Sequence, residues 1–211
     1  MSDRRDQDIS TIIIHKIMNR TEKLKIGYAI ALVVPFLLAL WLYAYAGLNS
    51  AILIGVVLIL LVFGRITGWL WRDILIGRRK MDAQQYEEAI PYLESFLNKL
   101  EMRPWIGNLI WISPTLYTIN AKAMALNNLG ACYLELDNRD DAMRHFASAL
   151  EQDPLYPLPH YNLALIAGIE DATDTMQEHL AKSVLLGYAA GAFDHTLDRI
   201  KSAYARYEPT A

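Results

Sequence analysis

A single cysteine, Cys132, excludes an intrachain disulfide and any zinc site built on paired thiolates. Its place inside a helical pattern marks it as a small buried filler. Glycine (11) and proline (8) are too sparse for low complexity, and no Ser/Gly-rich or Pro-rich linker breaks the 211 residues. The five histidines, His15, His145, His160, His179 and His195, include no i, i+4 pair, and H-E-x-x-H is missing. So are a phosphate-cradling glycine loop and G-x-S-x-G. Serines, histidines and acids are present, but no spacing brings them together, so the reading is a non-enzyme with no catalytic residue, metal ligand set or cofactor. His160 reads as a satisfied core histidine, Asp137, Asp140 and Asp141 as a solvated turn, and Glu87-Glu88 as an exposed helix face. Basic charge is scarce in the second part of the chain. Residues 81–211 hold nine Lys/Arg against eighteen Asp/Glu, a net −9, which argues against nucleic acid as a partner.

Charge of either sign is missing from Ile26–Leu48, IGYAIALVVPFLLALWLYAYAGL. About 20 such residues suffice to cross a bilayer as a helix, and Pro35 would kink that helix in a way bilayers tolerate. A second run, Ala51–Trp71, is strongly apolar up to Arg65, which lies within snorkelling reach of an interface that suits Trp69 and Trp71. The competing reading of Ala51–Phe63, a buried soluble helix, is weakened by its apolar neighbour. Joined by Asn49-Ser50, the two runs predict a transmembrane helical hairpin over 26–71. The connecting turn carries no Lys or Arg while both flanks are rich in them, so positive-inside bias puts both termini in the cytoplasm, by default at a bacterial inner membrane. Signal cleavage after Ala46, at Ala44-Tyr45-Ala46, stays open, and Ala51–Trp71 would then act as a stop-transfer segment. The leader, 1–25, offers Ile9, Ile13, Ile17 and Leu24 on one helical face and His15, Lys16, Arg20 and Lys23 on others. This is either a cationic amphipathic helix on an anionic leaflet or an unstructured basic flank. Gly64-x₃-Gly68 offers a small-residue face for close helix approach.

Between Leu126 and Pro154 the spacing is Leu126-x₂-Leu129-Gly130-x₂-Tyr133, then Ala142-x₃-Phe146, then Pro154. It resembles the tetratricopeptide repeat, a 34-residue unit of two antiparallel helices. Leu126, Leu129 and Tyr133 share a face of the first helix, and Gly130 leaves room for the second to cross. Ala142 stands opposite that gap, Phe146 fills space between repeats, and Pro154 ends the pair. With Ala142 as position 20 the unit is Ala123–Tyr156. A degenerate unit follows from Pro157, keeping a small residue at Ala164 but placing Met176 at the alanine position. Upstream, Ala89, Leu93 and Phe96 take the second-helix packing positions, with Trp71–Met81 as first helix and Gly77 at the crossing. Ala192–Tyr207, with Phe193, Leu197, Ile200 and Tyr204 on one stripe, predicts a capping helix. The fold class is therefore all-α: a two-helix transmembrane hairpin, then a short solenoid of about three repeats over 72–190, then a cap and tail over 191–211.

The resemblance implies that the first helices line a concave face and that asparagine at position 6 holds a guest's backbone. An amide suits this because it both donates and accepts. Asn128 and Asn162 occupy that position as two rungs, with Asn127, Met124, Ala131, Tyr161, Leu158 and Leu165 on the same wall. The family's carboxylate clamp wants Lys and Arg there and is not supported, since those positions carry Met124, Asn127, Leu158 and Tyr161. An apolar insertion, 102–117, supplies Trp105, Ile106, Leu109, Ile110 and Trp111, along with Ser113-Pro114 as an expected start for the next helix. Its cluster has three readings: contact with lipid, packing inside the groove, or a partner surface. The function expected is a membrane-anchored adaptor binding a protein or peptide, with the lipid bilayer as second partner. A subunit of a larger membrane complex, or a homo-oligomer, is the alternative; a small membrane enzyme or transport accessory is the remote one.

Overall fold

In the computed structural model the residues described are 23, 26–27, 30, 33–38, 40–45, 50–112, 117–188 and 191–204. Within them the side chains of Ser50, Ile52, Leu53, Val56, Ile110, Trp111 and Ile112 are not described. Eight α-helices follow in order: α1 Ser50–Leu70, α2 Arg72–Asp82, α3 Tyr86–Met102, α4 Ala121–Glu135, α5 Arg139–Gln152, α6 Pro157–Ile169, α7 Thr173–Leu185 and α8 Phe193–Tyr204. A 3-10 helix, Pro104–Ile112, lies between α3 and α4, and no strand occurs among the described residues.

The repeat is visible in the backbone before any side chain is considered. Gln84, Asp137 and Asp171 take φ of 59°, 58° and 56°, the left-handed region that reverses a chain after a helix. They separate α2 from α3, α4 from α5, and α6 from α7. Each reversal is closed by the same long hydrogen bond: Gln85 N to Lys80 O, Asn138 N to Tyr133 O, and Ala172 N to Ala167 O, at 2.8, 2.9 and 2.8 Å. Three helix pairs thus share one turn geometry.

Within a pair, the glycine sets how closely the helices cross. A Cβ on Gly130 would lie 2.7 Å from Phe146 Cε1 and 3.1 Å from Ala142 O. A Cβ on Gly77 would lie 2.9 Å from Leu93 Cδ2. Phe146, Ala142, Leu93 and Ala89 are all fully buried, so these crossings have no slack. Phe146 therefore fills the crossing inside its own unit and also joins the cluster shared with α6 and α8. In the third pair, Leu197 of α8 comes to 2.9 Å and Met176 Sδ to 3.1 Å of a Cβ on Gly168.

Two apolar clusters result. One unites Leu70 and Trp71 with α2, α3, Ile106 and α4; the other unites α4's end with α5, α6 and α8. Trp71 anchors the first by donating Nε1–H to Ile106 O at 3.3 Å, with its ring 5.3 Å from Phe96. Backbone bonds Trp71 N to Thr67 O and Leu75 N to Trp71 O carry α1 into α2.

Two expectations need correction. Among the described residues no helix is long and apolar enough to cross a membrane, so the transmembrane hairpin over 26–71 is not supported by the fold. Its first segment is described only in short helical pieces, and three apolar side chains of α1 lie outside the described residues. Second, Ser113-Pro114 lies outside the described residues, and α4 begins later, at Ala121. Its N-cap is Asn120, whose Oδ1 accepts from Lys122 N and Ala123 N at 3.0 Å each.

Candidate partner-binding face

The first helices α4 and α6 carry the residues expected to meet a guest, and a polar latch sets their starting points. Thr118 Oγ1 donates to Asp153 Oδ2 at 2.5 Å, and Asn120 Nδ2 donates to Gln152 O at 3.0 Å. The entry to α4 is thereby tied to the exit of α5, fixing the register of the second pair.

The three amides divide the work unequally. Asn162 Nδ2 donates to Asn127 Oδ1 at 3.1 Å, a bond between successive units. Asn127 is itself buried, at 4% exposure. Asn128 is half-buried, and its Nδ2 is buried with no hydrogen-bond acceptor among the described residues. The two amides expected as rungs are placed differently: Asn162 bonds Asn127, and Asn128 Nδ2 meets no acceptor among the described residues. The physical reason is the turn of the helix. Asn127 and Asn128 point about 100° apart, and stacking of the units brings Asn162 to the first of them.

The apolar wall is mostly consumed by packing. Met124 belongs to the first cluster, Tyr161 and Leu165 to the second, and all three are buried. Ala131 packs against the second cluster from its edge. Tyr161 stands edge-on to Tyr188 at 4.8 Å and to Phe193 at 5.6 Å, and Tyr188 meets Tyr117 at 5.4 Å. Of the expected wall, Leu158, Asn128, Asn162 and Ala131 keep partial exposure.

Helix α8 accounts for much of this covering. Its Phe193, Ile200 and Tyr204 are buried against α6 and the end of α4. Tyr204 Oη donates to Leu134 O, and Arg199 grips Glu135 with two bonds of 2.8 and 2.5 Å. Lys201 Nζ pairs with Asp171 at 2.9 Å, and the Arg139 guanidinium lies 5.2 Å from the Tyr204 ring. The stripe expected of a cap is therefore laid across the C-terminal ends of two first helices. Toward the other end of these helices Asn128, Asn162 and Leu158 keep partial exposure.

The insertion splits likewise. Ile106 is 1% exposed within the first cluster and Leu109 packs against it, whereas Trp105 is 53% exposed. Ile110 and Trp111 have side chains outside the described residues.

The titratable groups follow their surroundings. Burial, aided by the Glu135 carboxylate, pushes the Cys132 thiol up to about 12, which keeps it an unreactive filler. Burial acts to raise the Asp73 carboxyl, but hydrogen bonds from Lys99 and Ser95 outweigh it and hold the group below its ordinary value. His160 Nδ1 lies 3.1 Å from His179 Nδ1. Burial, then the neighbouring His179 and Lys182, hold His160 down at about 4, and burial and Lys182 lower His179 as well. One ring must accept from the other, so the two cannot both be imidazolium at once. No spacing rule anticipates it, because the two residues sit on different helices, 19 positions apart. The same holds for Arg199 and Glu135, 64 positions apart. Among the described residues no group of three or more His, Cys, Asp or Glu is placed to hold a metal ion.

The family model for the tetratricopeptide repeat matches residues 123–156, from the first turn of α4 through α5 to the residue before α6. No curated protein and no solved structure matches the chain.

Proposed function

We propose that this chain is a membrane-attached adaptor that binds a protein or peptide partner on the amide-bearing half of its solenoid. The repeat over 123–156 supports a protein-interaction module rather than a catalyst. The observation that carries the site is Asn128. A buried amide donor left without an acceptor costs about 1–3 kcal/mol. A main-chain carbonyl from an extended guest would satisfy it, and Asn162, Leu158 and Ala131 border the same place.

Attachment to a membrane rests on α1. Its seven consecutive side chains Val57, Leu58, Ile59, Leu60, Leu61, Val62 and Phe63 are all exposed. At about 100° per residue they cover every side of the helix, and a helix apolar all round requires a nonpolar coat. Its C-terminal end passes without a linker into the first helix pair, and Arg72, Arg78, Arg79 and Lys80 follow at once. That basic flank favours an anionic, cytoplasmic-side leaflet, with the solenoid on the same side; a bacterial inner membrane fits this charge pattern. Confinement to the surface raises the effective concentration of the groove for clients held in the same bilayer.

The test is a photo-crosslinking residue at Leu158 in the native membrane, with and without Asn128→Leu. Loss of the client crosslink is expected, together with unchanged or slightly raised solenoid stability, because the orphan donor is gone. A crosslink that persists in Asn128→Leu overturns the site. Recovery of the full chain in the soluble fraction, away from co-floated vesicles, overturns the attachment.

A further inference from the structure

The end of α1, the end of α3 and the 3-10 helix enclose a cleft of about 200 Å³, lined by Trp69, Leu70, Lys99, Met102, Arg103 and Ile106. Its floor is built into the core. Leu70 and Ile106 are buried, and the Trp71 indole holds the Ile106 carbonyl from beneath. Its rim is the reverse: Trp69 and Met102 are 64% and 75% exposed, among the most exposed apolar side chains of the described chain. Such a pair beside an apolar floor leaves a nonpolar slot open to the outside.

The charges at the mouth are of one sign. Lys99 Nζ is partly countered by Asp73 Oδ2 at 2.7 Å. Arg103 has no carboxylate within salt-bridge distance among the described residues, so its charge is unspent. A guanidinium presents a planar fork that matches phosphate, while the slot offers a bare ion nothing. The cleft also sits where α1, apolar on every side over Val57–Phe63, enters the folded domain, the level at which headgroups would lie.

We propose that this cleft binds one anionic phospholipid, its phosphate on Arg103 with Lys99 beside it and its proximal acyl chain between Trp69 and Met102. The proposal rests on the reading of α1 as membrane-attached. Its consequence is mechanical: a lipid clamped between α1 and the 3-10 helix would fix how the first helix pair stands on the bilayer, and so where the groove faces.

The experiment is native mass spectrometry of the full chain in mild detergent, offered equal amounts of phosphatidylglycerol and phosphatidylcholine. One phosphatidylglycerol retained in preference by about tenfold is expected, falling to near equality in Arg103→Gln. Arg79→Gln, an exposed base on α2 outside the cleft, should keep the preference. Met102→Asp, which places a like charge at the slot, should abolish retention of either lipid there. Equal retention of the two lipids by the wild-type chain overturns the proposal, as does a preference that survives Arg103→Gln. Inorganic phosphate bound alone with the same dependence on Arg103 would mark a free-phosphate site and overturn the lipid. Flotation with phosphatidylcholine vesicles separates the two readings. A wild-type chain that does not float removes the membrane attachment itself. A chain that floats, in wild type and Arg103→Gln alike, without any lipid preference removes only the cleft.

Discussion

Glycine means opposite things in α1 and in the solenoid. Around Gly64 and Gly68 a Cβ would find nothing within 4 Å, while at Gly130 it would strike the Phe146 ring at 2.7 Å. The two regions are inverted in burial as well. In α1 the large apolar side chains from Val57 to Phe63 all face outward, whereas in α4 Met124, Leu126 and Leu129 are buried. Apolar content alone does not distinguish them. What differs is whether a second helix supplies the other wall: α4 has α5, and α1 has none among the described residues until its last turn reaches Leu70. A helix that lacks a protein wall leaves its apolar side chains uncovered, and that contrast is what the proposal of a membrane for one region and a partner for the other rests on.

The comparison breaks most directly at Phe146. This side chain is fully buried between Gly130 and the α6–α8 layer. Phe146→Ala is expected to cost the solenoid about 3–5 kcal/mol, read as a lower urea midpoint by circular dichroism. Gly130→Ala approaches the same contact from the other side. Neither the ring nor the Ala142 carbonyl can retreat, so a loss of about 1–3 kcal/mol follows. A Gly130→Ala chain that unfolds at the wild-type midpoint would show the crossing to be looser than the geometry requires.

Why this crossing was legible in the sequence is a matter of range. Gly130, Ala142 and Phe146 fall within one 34-residue unit, so their spacing is set by two helices and one turn. Gly77, Ala89 and Leu93 repeat the arrangement with a weaker pattern, and Gly77 again meets the side chain four positions after the alanine. The candidate face was legible only in part. Asn127, Asn128 and Asn162 could be placed on first helices, but which amide meets which depends on the stagger between units. Tyr161 and Leu165 are buried in the cluster that α8 joins, and the apolar stripe of α8 is visible in the sequence while its docking place is not; Met124 is buried instead in the cluster with α2 and α3. The cap at Asn120 was hidden by the stronger Ser113-Pro114 signal upstream. Ile106 and Trp105 are neighbours of similar hydropathy, yet one is core and the other surface, because the 3-10 turn points them apart.

A smaller effect tests whether α8 belongs to the packed region. Tyr204→Phe removes one buried donor to the Leu134 carbonyl and should cost about 1 kcal/mol. Arg199→Ala, at a half-exposed ion pair, should cost less, about 0.2–1 kcal/mol. If Tyr204→Phe leaves stability unchanged but increases client crosslinking at Leu158, α8 acts as a movable cover instead of a fixed wall.

The histidine pair gives a pH-dependent version of the same comparison. Unfolded imidazoles protonate near pH 6.5, while His160 in the fold resists until about pH 4 and His179 is lowered as well. Between those values the unfolded chain binds more protons, so stability rises with pH and is lost as pH falls through the window. Glu178 and Lys182 face the pair from α7 and offset each other in sign. The thermal midpoint of the solenoid should therefore drop between pH 7 and pH 5. His160→Gln should flatten that slope, and an unaltered slope would mean the rings are solvated apart. Asp73 acts in the same direction at lower pH: its lowered value contributes stability above the ordinary aspartate range, lost as the carboxyl protonates.

The smallest expected effect is the most discriminating. Gly64→Ala and Gly68→Ala should leave the solenoid's midpoint within about 0.5 kcal/mol of wild type, since no atom of the described chain occupies the space a Cβ would fill. Helix propensity even favours alanine, by up to about 1 kcal/mol in α1 itself. In vesicles, however, the same substitutions would thicken the face on which Gly64-x₃-Gly68 permits close helix approach. Unchanged urea melting combined with weaker crosslinking between copies would assign those glycines to helix association within the bilayer. Unchanged melting with unchanged crosslinking would leave the two glycines without a role in helix association. A lowered melting midpoint would mean instead that α1 leans on the helix pairs, and the division between an unpartnered helix and a packed solenoid would have to be redrawn at a point before Gly64.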